Sequence, residues 1–253
     1  MIKKIQMPDK TAGTASNNTV DPKAGKTSDQ RKLKGEATRE KLVIEAIRLF
    51  GQYGYKATNT RAMAEAAKCN LGLITFHFGG KQGLYEAAIK RVKDRLMEML
   101  TPSVKKLENL AQGDMEGEKL FQELANEINA LSIKFIGMEQ IAAHSLFLLQ
   151  NINENNPHSI SGYRDVFSPL IASIEVIINK ATNNINPSRA RLSAFMLINT
   201  TLGFLRDYPV FFPNTEESDI KQPSIDNLVE LLSHHLMSEY HTYFQFKMDN
   251  TLK

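Results

Sequence analysis

Apolar residues along most of this chain recur at helical rather than strand spacing. Leu42, Val43, Ala46, Ile47, Leu49 and Phe50 alternate with Glu40, Lys41, Glu45 and Arg48 so that one face is apolar, which predicts an amphipathic helix. Thr38 offers an N-cap side chain and Gly54 a residue that turns left-handed without a Cβ penalty, so this helix is expected to end near Tyr53. A polar entry, Thr58-Asn59-Thr60, with Asn59 as the N-cap, leads into small and apolar residues from Arg61 to Ala67. A second short segment runs from Asn70 to Phe78, and Gly79-Gly80 breaks the chain before a long helix that starts near Lys81.

Beyond Thr101-Pro102 there are few alternating β-branched runs and no Asn-Gly or Asp-Gly hairpin turn. Helices are predicted at Gly117 to Phe135, Glu139 to Asn153, Ser159 to Asn179, Ser188 to Arg206 and Ser224 to Tyr243, divided by Pro157, Pro187, Pro209, Pro213 and Pro223. No internal repeat is present. By contrast, Met1 to Gly35 is rich in Lys, Thr, Asn, Asp, Gly and Pro and has no apolar period, so residues 1–35 read as a flexible basic arm. The resulting divisions are the arm, a three-helix unit over 36–82, a connecting helix over 83–101 and a helical body over 102–253.

Composition adds limits rather than an identity. With 42% apolar residues in a chain of 253, a sizeable core is available. Cys69 is the single cysteine, which excludes a disulfide framework or a multi-cysteine zinc site and suits a reducing compartment. There is no apolar signal segment near Met1 and no run approaching the roughly 18 residues of a spanning helix, so a cytoplasmic location without membrane attachment is expected. The net charge of +3 is unevenly distributed. Residues 1–81 hold 15 Lys and Arg against 7 Asp and Glu, whereas the remainder holds 16 against 21. A basic head on a mildly acidic body suits a polyanionic partner, although the arm alone supplies about half of the excess.

Two short helices joined by about three residues, as predicted over Arg61 to Phe78, can place the second helix in a DNA major groove while the first braces it. The same spacing also occurs in all-α domains that touch no nucleic acid. The residues are more specific than the spacing. Ile47-Arg48-Leu49-Phe50-x-x-Tyr53-Gly54-Tyr55-x-Ala57-Thr58, then Arg61-x-Met63-Ala64-x-x-Ala67, then Asn70-x-Gly72-x-Ile74-Thr75-Phe76-His77-Phe78-Gly79-x-Lys81-x-x-Leu84 together resemble the DNA-binding domain of TetR-family transcriptional regulators. The Ile74-to-Lys81 variant, followed by Leu84-Tyr85, is similar to the CecR-like branch. The resemblance implies an all-α protein, with a three-helix helix-turn-helix domain followed by a helical ligand-sensing and dimerisation domain.

It also implies roles for individual residues. Thr58, Asn59 and Thr60, with the free N–H groups opening the second helix, face phosphate oxygens. Arg61 reaches phosphate or a guanine edge, or is simply a solvated helix-face arginine. Asn70, Leu71, Leu73, Thr75 and Phe76 form the groove-facing side, with Leu71 or Leu73 against a thymine methyl. His77 and Lys81 match positions that touch the DNA backbone in the family, while packing between helices is the alternative for His77. Ala46, Leu49, Phe50, Met63, Ala64, Ile74 and Phe78 are the expected small core. Three residues depart from the family pattern: Lys68 stands where glycine is usual in the turn, Thr75 where tyrosine is frequent, and Leu71 where lysine is common.

In the body, Met138, Ile141, Ala142, His144, Ser145, Phe147 and Leu148 would line a mostly apolar pocket for an unidentified small molecule, or serve only as a core stripe. Leu192, Phe195 and Leu202, with Leu228 and Leu232, would pair across a two-fold axis in a homodimer, or pack within one subunit. His234, His235, Glu239 and His241 lack a recognised metal-ligand pattern, and a solvated helix face is the expectation. No Gly-x-Ser-x-Gly elbow, P-loop or dinucleotide fingerprint points to an enzyme, and no cofactor is expected. The leading expectation is a repressor that leaves a double-stranded DNA operator when a ligand binds. A ligand-independent DNA-bound interaction protein is the alternative, and an enzyme in the body a third.

Overall fold

A computed structural model describes residues 22–152, 157–183 and 186–211 and the positions 227, 230–232, 234–235, 237–238 and 241–242. Among these residues the regular structure is entirely α-helical. The helices are α1 (Pro22–Ala57), α2 (Thr60–Ala66), α3 (Gly72–Phe78), α4 (Lys81–Gln112), α5 (Gly117–Gly137), α6 (Glu139–Ile152), α7 (Pro157–Ala181) and α8 (Pro187–Phe211). The described positions from 227 to 242 are helical too, within the segment where the periodicity predicts the last helix.

The chain divides into two compact units, Met1–Thr38 and Arg39–Lys253. In the first, the expected flexible arm is corrected in part, because the backbone is helical from Pro22 onward; residues 1–21 lie outside the described part. Proline suits the first helical position, and Lys32, Leu33, Lys34, Glu36 and Ala37 are all good helix formers. Thr38 is therefore mid-helix rather than an N-cap, and its hydroxyl donates back to Lys34 O at 2.9 Å.

In the second unit one core runs from the three-helix head into the body. Leu42, Val43, Ala46, Ile47, Leu49 and Phe50 of α1 are buried with Met63 and Ala64 of α2, Ile74 of α3, and Leu84 and Tyr85 of α4. Each large side chain fully buried here contributes about 1.5–3 kcal/mol relative to leaving it in water. α7 packs against α4, α5, α6 and α8 and forms the centre of the body. Gly162 allows its close approach to α4, since a Cβ there would lie 3.1 Å from Ile89 Cγ2.

The expected end of the connecting helix at residue 101 is also corrected. α4 continues to Gln112 because Leu96, Leu100, Ser103 and Leu107 keep one buried stripe across the proline, while the Thr101 hydroxyl donates to Met97 O at 2.6 Å. Lys180 of α7 then donates to Ala111 O at 2.9 Å, satisfying a carbonyl at the α4 C-terminus. Pro157 and Pro187, read as breakers, open α7 and α8 at the position where a missing N–H is harmless. Pro209 does not end α8, which reaches Phe211.

Candidate nucleic-acid interface

The head is built by a few local devices. Gly54 takes φ 78°, which interrupts α1 where the glycine predicts a stop. Asn59 caps α2 as expected, its side-chain oxygen accepting from Ala62 N at 2.8 Å. The turn to α3 passes through Lys68 at φ 53°, a left-handed conformation that costs a lysine about 1–2 kcal/mol. Asn70 Oδ1 then accepts from Gly72 N at 2.8 Å and opens α3. Gly79, at φ 74°, closes it with its N–H on Thr75 O at 2.9 Å.

These devices sort the expected DNA-facing residues. Arg61, Asn70, Leu71, Thr75 and Phe76 are exposed, Phe76 at 79%, and Asn59 is exposed at the start of α2. Thr60 and His77 are half-buried, with the His77 ring 4.9 Å from Phe76 and 6.1 Å from Phe78. Thr58 is corrected: it is buried, and its hydroxyl turns inward to Gly54 O at 2.7 Å with Leu49 O at 3.1 Å, so it stabilises the α1–α2 corner instead of meeting phosphate. Leu73 is corrected likewise, since it packs against the core. Asn70 keeps its exposure, but its carbonyl oxygen is committed to the α3 N-terminus.

Lys81 sits at the junction of α1 and α4. Its ammonium lies 4.4 Å from the Tyr55 ring centroid and 3.5 Å from Lys56 O, while the Tyr55 hydroxyl donates to Gln82 Oε1 at 2.9 Å. The ring thus holds the lysine at a helix start that would otherwise disfavour it. Gly83, not singled out from the sequence, is what lets α4 start against α3: a Cβ there would fall 1.9 Å from Phe78 O. A glycine in the first turn of a helix is the signal that marks such an approach.

The head is clamped to the body through aromatic rings. Phe50, Tyr55, Tyr85 and Phe147 form a chain of contacts with centroids 4.6–6.0 Å apart. The Tyr85 hydroxyl bonds Ser159 of α7, and Asn151 Nδ2 of α6 donates to Phe147 O at 2.6 Å and Phe50 O at 3.4 Å. Arg91 of α4 pairs with Glu40 of α1.

The residues expected to bind a ligand separate. Ile141, Ser145, Phe147 and Leu148 are buried in the core, whereas Met138 is half-exposed at the α5 C-cap. His144 lies between; its Nδ1 is buried without a partner, and burial, then the positive charges of Arg91 and Arg95, pull its pKa below the usual histidine value. The enclosed space lined by Ser132, Phe135, Ile198 and Thr201 is only about 10 Å³.

Of the expected dimer residues, Leu192 and Phe195 are exposed at 62% and 48%. Leu202 and Leu232 are corrected: both are buried within one subunit, Leu202 because the face of α8 that carries it joins the subunit's own core. Leu228 lies outside the described residues. Met196 of α8, on the same predicted apolar face as Leu192 and Phe195, is 52% exposed, as is Val176 of α7, which was not singled out. Among the described residues no group of three His, Cys, Asp or Glu side chains could hold a metal ion. Nor, among them, is any helix long and apolar enough to cross a membrane.

With this geometry in view, residues 42–88 match the profile of bacterial regulatory proteins of the tetR family. The HTH-type transcriptional dual regulator CecR of Shigella flexneri is 28% identical over 173 residues, covering 68% of this chain and 77% of CecR. Salmonella enterica GusR has the same fold at 20% identity and a TM-score of 0.50, over 79% of this chain and 94% of its own. A TetR-like transcriptional regulator from Rhodococcus aligns with a TM-score of 0.52 at 15% identity, over 79% of this chain and 96% of its own.

Proposed function

We propose, from the premise that the chain is a TetR-family transcriptional regulator, that it is a homodimeric repressor released from its operator by a small molecule bound in the helical body. The observation that carries the reading is the family match over 42–88 together with α3, a short helix whose outer side chains have no packing role in the head. Thr60, Arg61, Thr75, Phe76 and His77 form the contact set, with Lys56 and Lys68 exposed on the neighbouring segments. Lys81 supplies charge at the edge.

A single head covers one half-site, and two heads must stand about 34–36 Å apart to read both. The apolar outer face of Leu192, Phe195 and Met196 supports assembly through α8. α4 spans the distance between reading and sensing, about 48 Å for 32 residues. A ligand that shifts α6 or α7 moves the Phe147 and Ser159 contacts on Tyr85, and with them the head spacing. CecR is named a dual regulator; repression is assigned here because a dimer seated across an operator covers the DNA beneath it.

Sedimentation of the full chain with DNA selected from a random pool should give two subunits per operator. A small molecule that raises the melting temperature should weaken operator binding by at least tenfold. One subunit per site, or stabilising ligands that leave operator affinity unchanged, would contradict the dimeric or the ligand-released part respectively.

A further inference from the structure

The side chains that α3 presents outward are unusually poor in hydrogen-bonding groups. At about 100° per residue, Leu71, Thr75, Gly72 and Phe76 fall within an arc of about 140°, while Leu73, His77, Ile74 and Phe78 occupy the opposite arc. The burial agrees: the first four are exposed and the second four are half-buried or buried. The outward arc therefore carries two large apolar side chains, one threonine and a glycine. From Gly72 to Phe78 there is no Lys, Arg, Asp, Glu, Asn or Gln, and Asn70 just before it already uses its side-chain oxygen on Gly72 N.

We infer that this face reads thymine C5-methyl groups, so that operator choice rests on apolar contact rather than on bidentate hydrogen bonds. The inference rests on the DNA-binding reading above and deepens it. In the major groove the thymine methyl is the one apolar group on a base edge; every other edge presents donors or acceptors that want a polar partner. A phenyl ring or a leucine set against those edges removes their water and returns nothing, which is costly. Against a methyl it removes two apolar surfaces from water. Gly72 lies within the arc, where a Cβ would meet only Asn70 Oδ1 at 3.3 Å, so the helix backbone can approach the base pairs closely.

The charge around the face selects DNA as its occupant. Lys56, Arg61 and Lys68 are exposed on the segments that precede α3 in the chain, and α3 itself carries no acidic residue. Phosphate contacts from those cations hold the helix in the groove and carry no sequence information, which leaves discrimination to Leu71, Thr75 and Phe76. At 79% exposure, Phe76 makes its ring contact with the adjacent His77.

The test uses the full-length protein and an operator selected from random duplex DNA, with affinity read by fluorescence anisotropy. Each thymine of the site is replaced in turn by deoxyuridine, which removes the methyl and leaves the hydrogen-bonding edge as it was. One or two positions per half-site should lose about fourfold in affinity each, the worth of one buried methyl. Phe76→Ala should erase the discrimination at one position and Leu71→Ala at another, with the salt dependence of binding unchanged. Both side chains are exposed, so melting temperatures should stay close to the parent and separate a reading defect from a folding one. Operator binding that is indifferent to complete thymine-to-uracil replacement, or discrimination that survives in both variants, overturns the inference while leaving DNA binding intact. Absence of salt-dependent DNA binding in the parent protein would instead overturn the reading on which the inference rests.

Discussion

Gly51 of α1 rests on Phe147 of α6: a side-chain carbon placed on the glycine would lie 3.6 Å from both Phe147 Cα and Cβ. This is ordinary van der Waals contact, so one methyl fits and a larger group does not. Gly51→Ala should raise stability by about 0.5–1 kcal/mol through helix propensity alone. Gly51→Leu should overpack the same contact, cost about 1–3 kcal/mol and weaken operator binding, because α6 must move off the head. Urea melts and operator titrations of the pair would check this; equal behaviour of the two variants would show that α6 does not brace α1.

Gly83 is a sharper case. Because its Cβ would fall 1.9 Å from the backbone oxygen of Phe78, Gly83→Ala should cost about 2 kcal/mol or more and disturb the turn that presents α3. Gly79→Ala has nothing within 4 Å and should cost only its left-handed backbone, about 1–2 kcal/mol. Thermal melts of the two variants should therefore rank Gly83→Ala as the less stable.

Assembly and stability should respond to different residues of α8. Phe195→Glu changes an exposed side chain, so the subunit should keep its melting profile at high dilution yet sediment as a monomer and lose specific DNA binding. Leu202→Ala removes a side chain that is 1% exposed, so it should cost about 2–5 kcal/mol while the folded protein still assembles. Analytical ultracentrifugation with calorimetry distinguishes the two effects.

The Lys106–Glu127 pair gives a pH signature. Burial pushes the Glu127 carboxyl up, but hydrogen bonds from Lys106 and Ser103 and the charges of Lys106 and Lys134 more than offset it, so its pKa lies below the usual range. With the folded value depressed, the pair stabilises above the unfolded pKa of about 4.3, and that contribution fades as pH falls through the folded value. Lys106→Met should therefore cost about 1–2 kcal/mol near pH 7, discounted for the half-exposed lysine, and progressively less as acidification protonates Glu127 in the folded protein. A pH-independent difference in urea midpoints would contradict this sign.

Much of the head was legible from sequence because its devices are local. The Gly54 stop, the Asn59 cap and the Gly79-Gly80 break each need only a few neighbouring residues to be recognised. Thr58 was misread because its partners, Leu49 O and Gly54 O, become neighbours only once α1 has bent at Gly54. The connecting helix was ended too early, at 101, because helix propensity at Pro102 counts the lost hydrogen bond and not the buried stripe on either side that keeps α4 whole. In α8, periodicity announced apolar faces without saying which one meets the subunit's own core. Leu202 and Leu192 look alike in sequence, yet one is 1% and the other 62% exposed.

The most direct test of the central claim is an equilibrium titration of the full-length protein on its selected operator at a series of salt concentrations, with Arg61→Ala run alongside. Exposed at the start of α2, Arg61 can meet a phosphate without supporting the fold. The account predicts specific affinity of about 10⁻⁸ M or tighter near physiological salt, a steep fall as salt rises, and a log–log slope shallower by about one unit per half-site in the variant. Binding that is weak and indifferent to both DNA sequence and salt, with a folded Arg61→Ala variant indistinguishable from the parent, would contradict it.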